Sequence, residues 1–137
     1  LTTAQVVCFA AVLIVDLYLT TGIYVKNCGV AKLDDSGFVA SINFPFDTPP
    51  STLCAYTIAL KSQGRIAYRF LNLNVTESTD CVKESVAVND LTKLPIEYCA
   101  PINADQEHLT ESEKLILIFK TSEGGKSGGF LLYYYKY

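Results

Sequence analysis

The chain has 137 residues, enough for one domain with one core of useful size, and half of them are hydrophobic, which sets disorder aside. Its formal charge of −3 leaves no basic footprint, so nucleic acid is not expected as a partner. A single histidine, and five cysteines without a Cys-x-x-Cys pair, argue against a structural zinc.

From Val6 to Val15 the sequence runs through ten apolar residues before Asp16, with Thr20, Thr21 and Gly22 behind. A membrane-spanning helix needs roughly 20 such residues, so no stable span is expected. The run suits the apolar core of a secretory signal peptide cleaved near Gly22. It departs from that pattern in having no Lys or Arg ahead of it and Asp16 close behind. No methionine occurs at any position, the first included, so the sequence is expected to be trimmed or partial. The reading is a signal peptide over 1–22, ahead of a signal anchor or the remnant of an upstream domain, and a single domain over 23–137. If Cys8 leaves with the leader, Cys28, Cys54, Cys81 and Cys99 remain, an even set suited to disulfides in a secreted chain. Four cysteines allow three pairings, of which Cys28–Cys54 with Cys81–Cys99 closes the shortest loops.

Beyond Lys26 the pattern is strand-like. Residues 37–41 are short, β-branched and aromatic, and a proline-rich turn follows from Pro45 to Pro50. Tyr56, Ile58 and Leu60 alternate with Thr57 and Ala59. After a turn at Gln63-Gly64, Ile66, Tyr68 and Phe70 share one face, with Ala67 and Arg69 opposite. The same two-residue period returns at Val86 and Val88, at Leu115, Leu117 and Phe119, and at Phe130, Leu132 and Tyr134. Short period-two runs punctuated by Gly, Pro, Asn and Ser predict an all-β antiparallel sandwich or barrel, with no repeat or linker dividing it.

Six ordered pieces then resemble a known family. Cys28-Gly29, followed by Gly37-Phe38-Val39-Ala40-Ser41-Ile42-Asn43-Phe44-Pro45, resembles the opening of the CUB domain, Gly-x-Ile-x-Ser-Pro-x-Tyr-Pro after the first cysteine. Cys54-Ala55-Tyr56-Thr57-Ile58 resembles its Cys-x-Trp-x-Ile, and Ile66, Tyr68 and Phe70 its Ile-x-Leu-x-Phe strand. Cys81 to Val86 is similar to Cys-x-x-Asp-x-Leu, Tyr98-Cys99 to Tyr-Cys-Gly, and Gly129 to Tyr134 to the closing Gly-Phe-x-Ala-x-Tyr. Ile42 stands for a proline, Ala100 for a glycine, and Asn89-Asp90 lacks the usual glycine after it, so the member is divergent. The resemblance implies a jelly-roll-like β-sandwich, the two neighbour disulfides, and a secreted, non-catalytic module that binds extracellular proteins or glycoconjugates through loops at the sandwich edge. The alternatives are a CUB appendage of a larger secreted protease or receptor, and a structural secreted protein without a specific ligand.

The resemblance also raises calcium, which takes six to eight oxygen ligands. At the three positions where family members place acids, this chain has Thr76, Glu84 and Ser122; Glu77 and Glu123 each sit one position away. Glu84, Glu77 and Glu123 are therefore the candidate calcium ligands, and the competing reading makes them solvated loop acids. No other cofactor is expected. Asn74-Val75-Thr76 is an N-glycosylation sequon, and a glycan at Asn74 would crowd that same end.

Ser122 to Gly129 is not a phosphate loop, because it precedes a strand and Lys120 stands where such a loop needs glycine. It reads as a turn in which Lys126 is either an exposed lysine or a contact for an acidic partner. Tyr133, Tyr135 and Tyr137 fall opposite Phe130, Leu132 and Tyr134, so Tyr133 and Tyr135 either pack or form an aromatic row for a protein or sugar. His108 lies in a polar stretch with no nucleophile motif and is expected at the surface; no enzyme activity is expected.

Overall fold

The computed structural model describes residues 28–123 and 128–137, so the expected leader over 1–22 and Lys126 lie outside the described residues. The described residues form nine strands: β1 (Ala31–Leu33), β2 (Ser36–Ala40), β3 (Leu53–Ala59), β4 (Ile66–Asn74), β5 (Glu84–Asn89), β6 (Ile96–Tyr98), β7 (His108–Leu109), β8 (Lys114–Thr121) and β9 (Gly129–Lys136). They build one sheet in the order β1-β3-β8-β5-β6 and a second in the order β2-β9-β4-β7. The all-β sandwich is thus as expected, with one variation: β1 runs parallel to β3, while every other pair is antiparallel.

The two-residue period of the long strands explains the two layers. Tyr56 and Ile58 on β3, Leu115, Leu117 and Phe119 on β8, and Val86 and Val88 on β5 all turn to one side and are buried. Facing them are Val39 on β2, Ile66, Tyr68 and Phe70 on β4, and Phe130, Leu132 and Tyr134 on β9. Along β4 the buried positions jump from Phe70 to Leu73, an odd step that a period of two forbids. A bulge between Phe70 and Asn72 absorbs the extra residue and returns Leu73 to the inner face. The centre of the core is aromatic: the Phe130 ring meets Tyr56, Phe119 and Phe70 edge-on, with centroids 5.4, 5.5 and 6.0 Å away.

Both neighbour disulfides are present, Cys28–Cys54 and Cys81–Cys99. The first joins the segment entering β1 to β3. The second joins a 3-10 turn, Thr79–Cys81, to the residue just after β6. Each cross-link shortens the unfolded chain's accessible loops and stabilises by roughly 2–4 kcal/mol.

Candidate functional site

Strand alternation and cross-strand pairing bring the candidate residues to three places. The first is the loop end ahead of β5. Glu84 opens β5 in phase with Val86 and Val88, so its carboxylate turns inward and is completely buried. Its Oε1 accepts the backbone N–H of Thr76, which ties the 75–83 loop to the sheet. Its Oε2 has no hydrogen-bond partner among the described residues. The solvated-loop reading is therefore wrong for Glu84, because alternation continues one step further than the apolar residues reveal. Glu77 and Glu123 are both exposed. No three His, Cys, Asp or Glu side chains come together as a metal-binding group among the described residues. Glu84 fits a cation as a buried acid with an open oxygen; the other two acids do not join it in such a group. Asn74 ends β4 opposite Gly129 and is exposed, as an acceptor for a glycan must be.

The second place is the outer face of the four-stranded sheet. Phe38, Tyr133 and Arg69 lie side by side across β2, β9 and β4. Phe38 is 53% exposed and its ring centroid is 5.1 Å from that of Tyr133. Tyr133 in turn lies 6.0 Å from Tyr135, whose hydroxyl donates to Glu107. The two tyrosines flagged from sequence are thus half-buried on an open sheet face, while Tyr134 between them is buried in the core. Their hydroxyl row is one aromatic ladder with Phe38, a residue that sequence reasoning placed only in a strand. Cross-strand register, which no single run of residues reveals, supplies that third ring.

The third place surrounds His108 and corrects the expectation of a plain surface histidine. His108 is in β7, paired opposite Tyr68, and its ring stacks on the tyrosine with centroids 4.9 Å apart and 25° between planes. Its Nε2 lies 3.1 Å from both carboxylate oxygens of Asp105. Asp105 also accepts the backbone N–H of Phe70, and so pins the approach to β7 onto β4. The Tyr68 hydroxyl hydrogen-bonds that of Tyr98 at 2.9 Å. Burial first, then this bond and the carboxylates of Asp105 and Asp90, push the Tyr68 phenol far above its ordinary range, so it keeps its proton. A protonated tyrosine pair and a carboxylate-held histidine form a rigid polar floor.

The comparisons agree with this architecture. A model of the CUB domain matches residues 28–134. Cubilin of the dog is 27% identical over 108 residues, covering 76% of this chain and 3% of cubilin. The human signal peptide, CUB and EGF-like domain-containing protein 2 is 26% identical over 117 residues, covering 82% of this chain and 12% of that protein. The chain therefore spans only a small part of these relatives. Among solved structures, the full extracellular region of zebrafish Gpr126/Adgrg6 superposes with a TM-score of 0.73 at 22% identity, over 81% of this chain and 15% of that one. The MASP-1 CUB2 domain bound to Ca2+ superposes with a TM-score of 0.69 at 19% identity, over 77% of this chain and 96% of that domain. Two sheets in this order, two disulfides at these cysteines and a family match from the first of them to Tyr134 make the chain a member of the CUB domain family.

Proposed function

We propose that this chain is a secreted, non-catalytic recognition module that binds an extracellular protein or glycoconjugate through the aromatic face of its four-stranded sheet and the loops beside it. The observation that carries the proposal is the Phe38–Tyr133–Tyr135 ladder with Arg69 exposed at its flank. A sheet face needs polar residues to stay in water, whereas this one offers large, stiff rings and a guanidinium. Tyr and Arg are the residue types that concentrate binding energy at protein interfaces, and aromatic faces stack on sugars and cations alike. Two disulfides support an oxidising compartment. The human relative named for its signal peptide points the same way.

The test is a binding screen against immobilised extracellular proteins and glycans with the native chain and the triple variant Phe38→Ser, Tyr133→Ser, Tyr135→Ser. A saturable ligand that the variant binds at least about tenfold more weakly, with its melting transition retained, supports the reading. A ligand bound equally by both moves recognition away from this face, and the absence of any saturable ligand favours a structural role.

A second reading is calcium at the loop end, favoured by the buried Oε2 of Glu84 that lacks a partner among the described residues. Glu84 would hold the ion, with Glu77 and Glu123 swinging in from exposed positions and the remaining oxygens coming from backbone and water. A ligand that binds only the folded state raises the melting temperature with occupancy. A saturable rise with calcium, absent in Glu84→Gln, supports this reading; a flat response to millimolar calcium leaves Glu84 as a clamp on the 75–83 loop alone.

A further inference from the structure

Arg69 stands on β4, an inner strand of the four-stranded sheet, and so within the aromatic face rather than at its margin. Register sets it directly opposite Tyr133, whose other neighbour is Phe38. It is exposed and forms no ion pair among the described residues, whereas Arg65 on the same side of the chain is held by Glu111 at 2.9 Å. The Tyr135 ring lies 6.0 Å from that of Tyr133 and is tilted to it by 33°. Its hydroxyl donates to Oε2 of Glu107, and Oε1 of Glu107 accepts no hydrogen bond among the described residues. Stiff rings, an uncommitted guanidinium and a carboxylate oxygen open to a donor are thus gathered on one open surface. The setting is otherwise acidic: Asp34 and Asp35 directly precede β2, and the formal charge of the chain is −3.

We propose that this face takes a terminal sugar bearing a single carboxylate, of the sialic acid type, on a glycan of its partner. The proposal rests on the recognition face described above and narrows its ligand to one chemical class. A guanidinium grips a carboxylate through two parallel N–H···O bonds. The C–H side of a sugar ring, slightly positive, packs on the negative face of a tyrosine. Sugar hydroxyls supply the donors that Glu107 accepts. An acidic peptide side chain would bring the carboxylate without those donors and would oppose Glu107. A polyanionic chain would set its further charges against Asp34, Asp35 and Glu107. One carboxylate on a polyhydroxylated ring answers the guanidinium, the rings and the open oxygen together.

The ring protons of Phe38, Tyr133 and Tyr135 report occupancy of the face by nuclear magnetic resonance. The full chain is titrated with the methyl glycoside of N-acetylneuraminic acid and with its methyl ester, which keeps the shape and loses the charge. Nα-acetyl-glutamate methylamide and a heparin oligosaccharide serve as the peptide carboxylate and the polyanion. The expected result is a saturable shift with the acid glycoside, at least about tenfold weaker with the ester. Arg69→Gln should weaken the acid glycoside by about the same factor, and Arg69→Lys should recover only part of the loss, because an ammonium cannot make the paired contact. Arg69 is exposed, so neither substitution disturbs the core. Equal binding of the ester, equal or tighter binding of acetyl-glutamate or heparin, or no shift with the glycoside at tens of millimolar would each overturn the proposal. Any of these, beside a protein ligand whose binding still depends on Tyr133 and Tyr135, strikes the acidic sugar and leaves the aromatic face standing. Ligands that all bind independently of those tyrosines strike both.

Discussion

Replacing Phe130 by leucine tests whether the aromatic centre, rather than buried area alone, holds the two sheets together. Phe130 is fully buried and meets three rings edge-on, Tyr56 and Phe119 from the opposite sheet and Phe70 from its own. Edge-to-face pairs contribute about 0.5–1.5 kcal/mol each beyond the area they bury. Three such pairs, less than additive because they share one ring, put the loss at about 3 kcal/mol. A simple hydrophobic exchange of similar volume costs under about 1.5 kcal/mol. For a domain of this size a loss of about 3 kcal/mol should lower the melting temperature by roughly 12 °C. Phe38→Leu is the matched control: it has one ring neighbour and half its surface in water, so it should cost less than about 1 kcal/mol. Denaturant unfolding with the disulfides intact, followed by circular dichroism, measures both, and an unchanged slope confirms that the same surface unfolds. A cost below about 1 kcal/mol for Phe130→Leu, or equal costs at the two sites, would refute the idea of an aromatic hub.

Acid should weaken the fold partly through Asp35. The Ser62 hydroxyl foremost, with the N–H groups of Ser62 and Lys61 and the charge of Lys136, holds its carboxyl below the ordinary 3.8, outweighing a desolvation that ranks second among the influences. A lowered folded-state pKa binds the proton less readily than the unfolded chain does. The contribution is therefore complete above the ordinary value and disappears as pH falls through the lowered one. Melting temperatures of the native chain and Asp35→Asn should differ at pH 7 and converge by about pH 2; a constant gap would contradict this. Gly129 sits at φ +80 with a Cβ position only 1.9 Å from the Ser41 hydroxyl oxygen, so Gly129→Ala should cost about 2–4 kcal/mol in the same unfolding assay. Asn74→Gln should lower the mass of the secreted protein by one glycan, and an unchanged mass would mean an empty acceptor.

Most of the sandwich was legible because its long strands are buried on one face only. Alternation at 56–60, 66–70, 115–119 and 130–135 marked the inner rows directly, and the family resemblance supplied the pairing of the cysteines. The edge strands β1, β6 and β7 escaped because two or three residues are too few to display a period. Glu84 was singled out for its chemistry and misjudged for its surroundings: an acid in phase with Val86 and Val88 follows them inward. His108 and Asp105 looked like a polar loop. What places them is the Tyr68 pairing, a contact across 40 residues that only the folded chain expresses. The recognition face had the same fate, since Tyr133 and Tyr135 were visible along one strand while Phe38 joins them from another.

The brevity of those edge strands has a further consequence. Three of the four sheet margins are two or three residues long, and the fourth, β2, begins directly after Asp34 and Asp35. Unpaired backbone along a sheet margin is what lets one β-protein zip onto another. The nine- and eight-residue strands that could template such growth, β4, β8 and β9, have neighbours on both sides. The margins themselves are therefore too short to template sheet growth from one copy to the next.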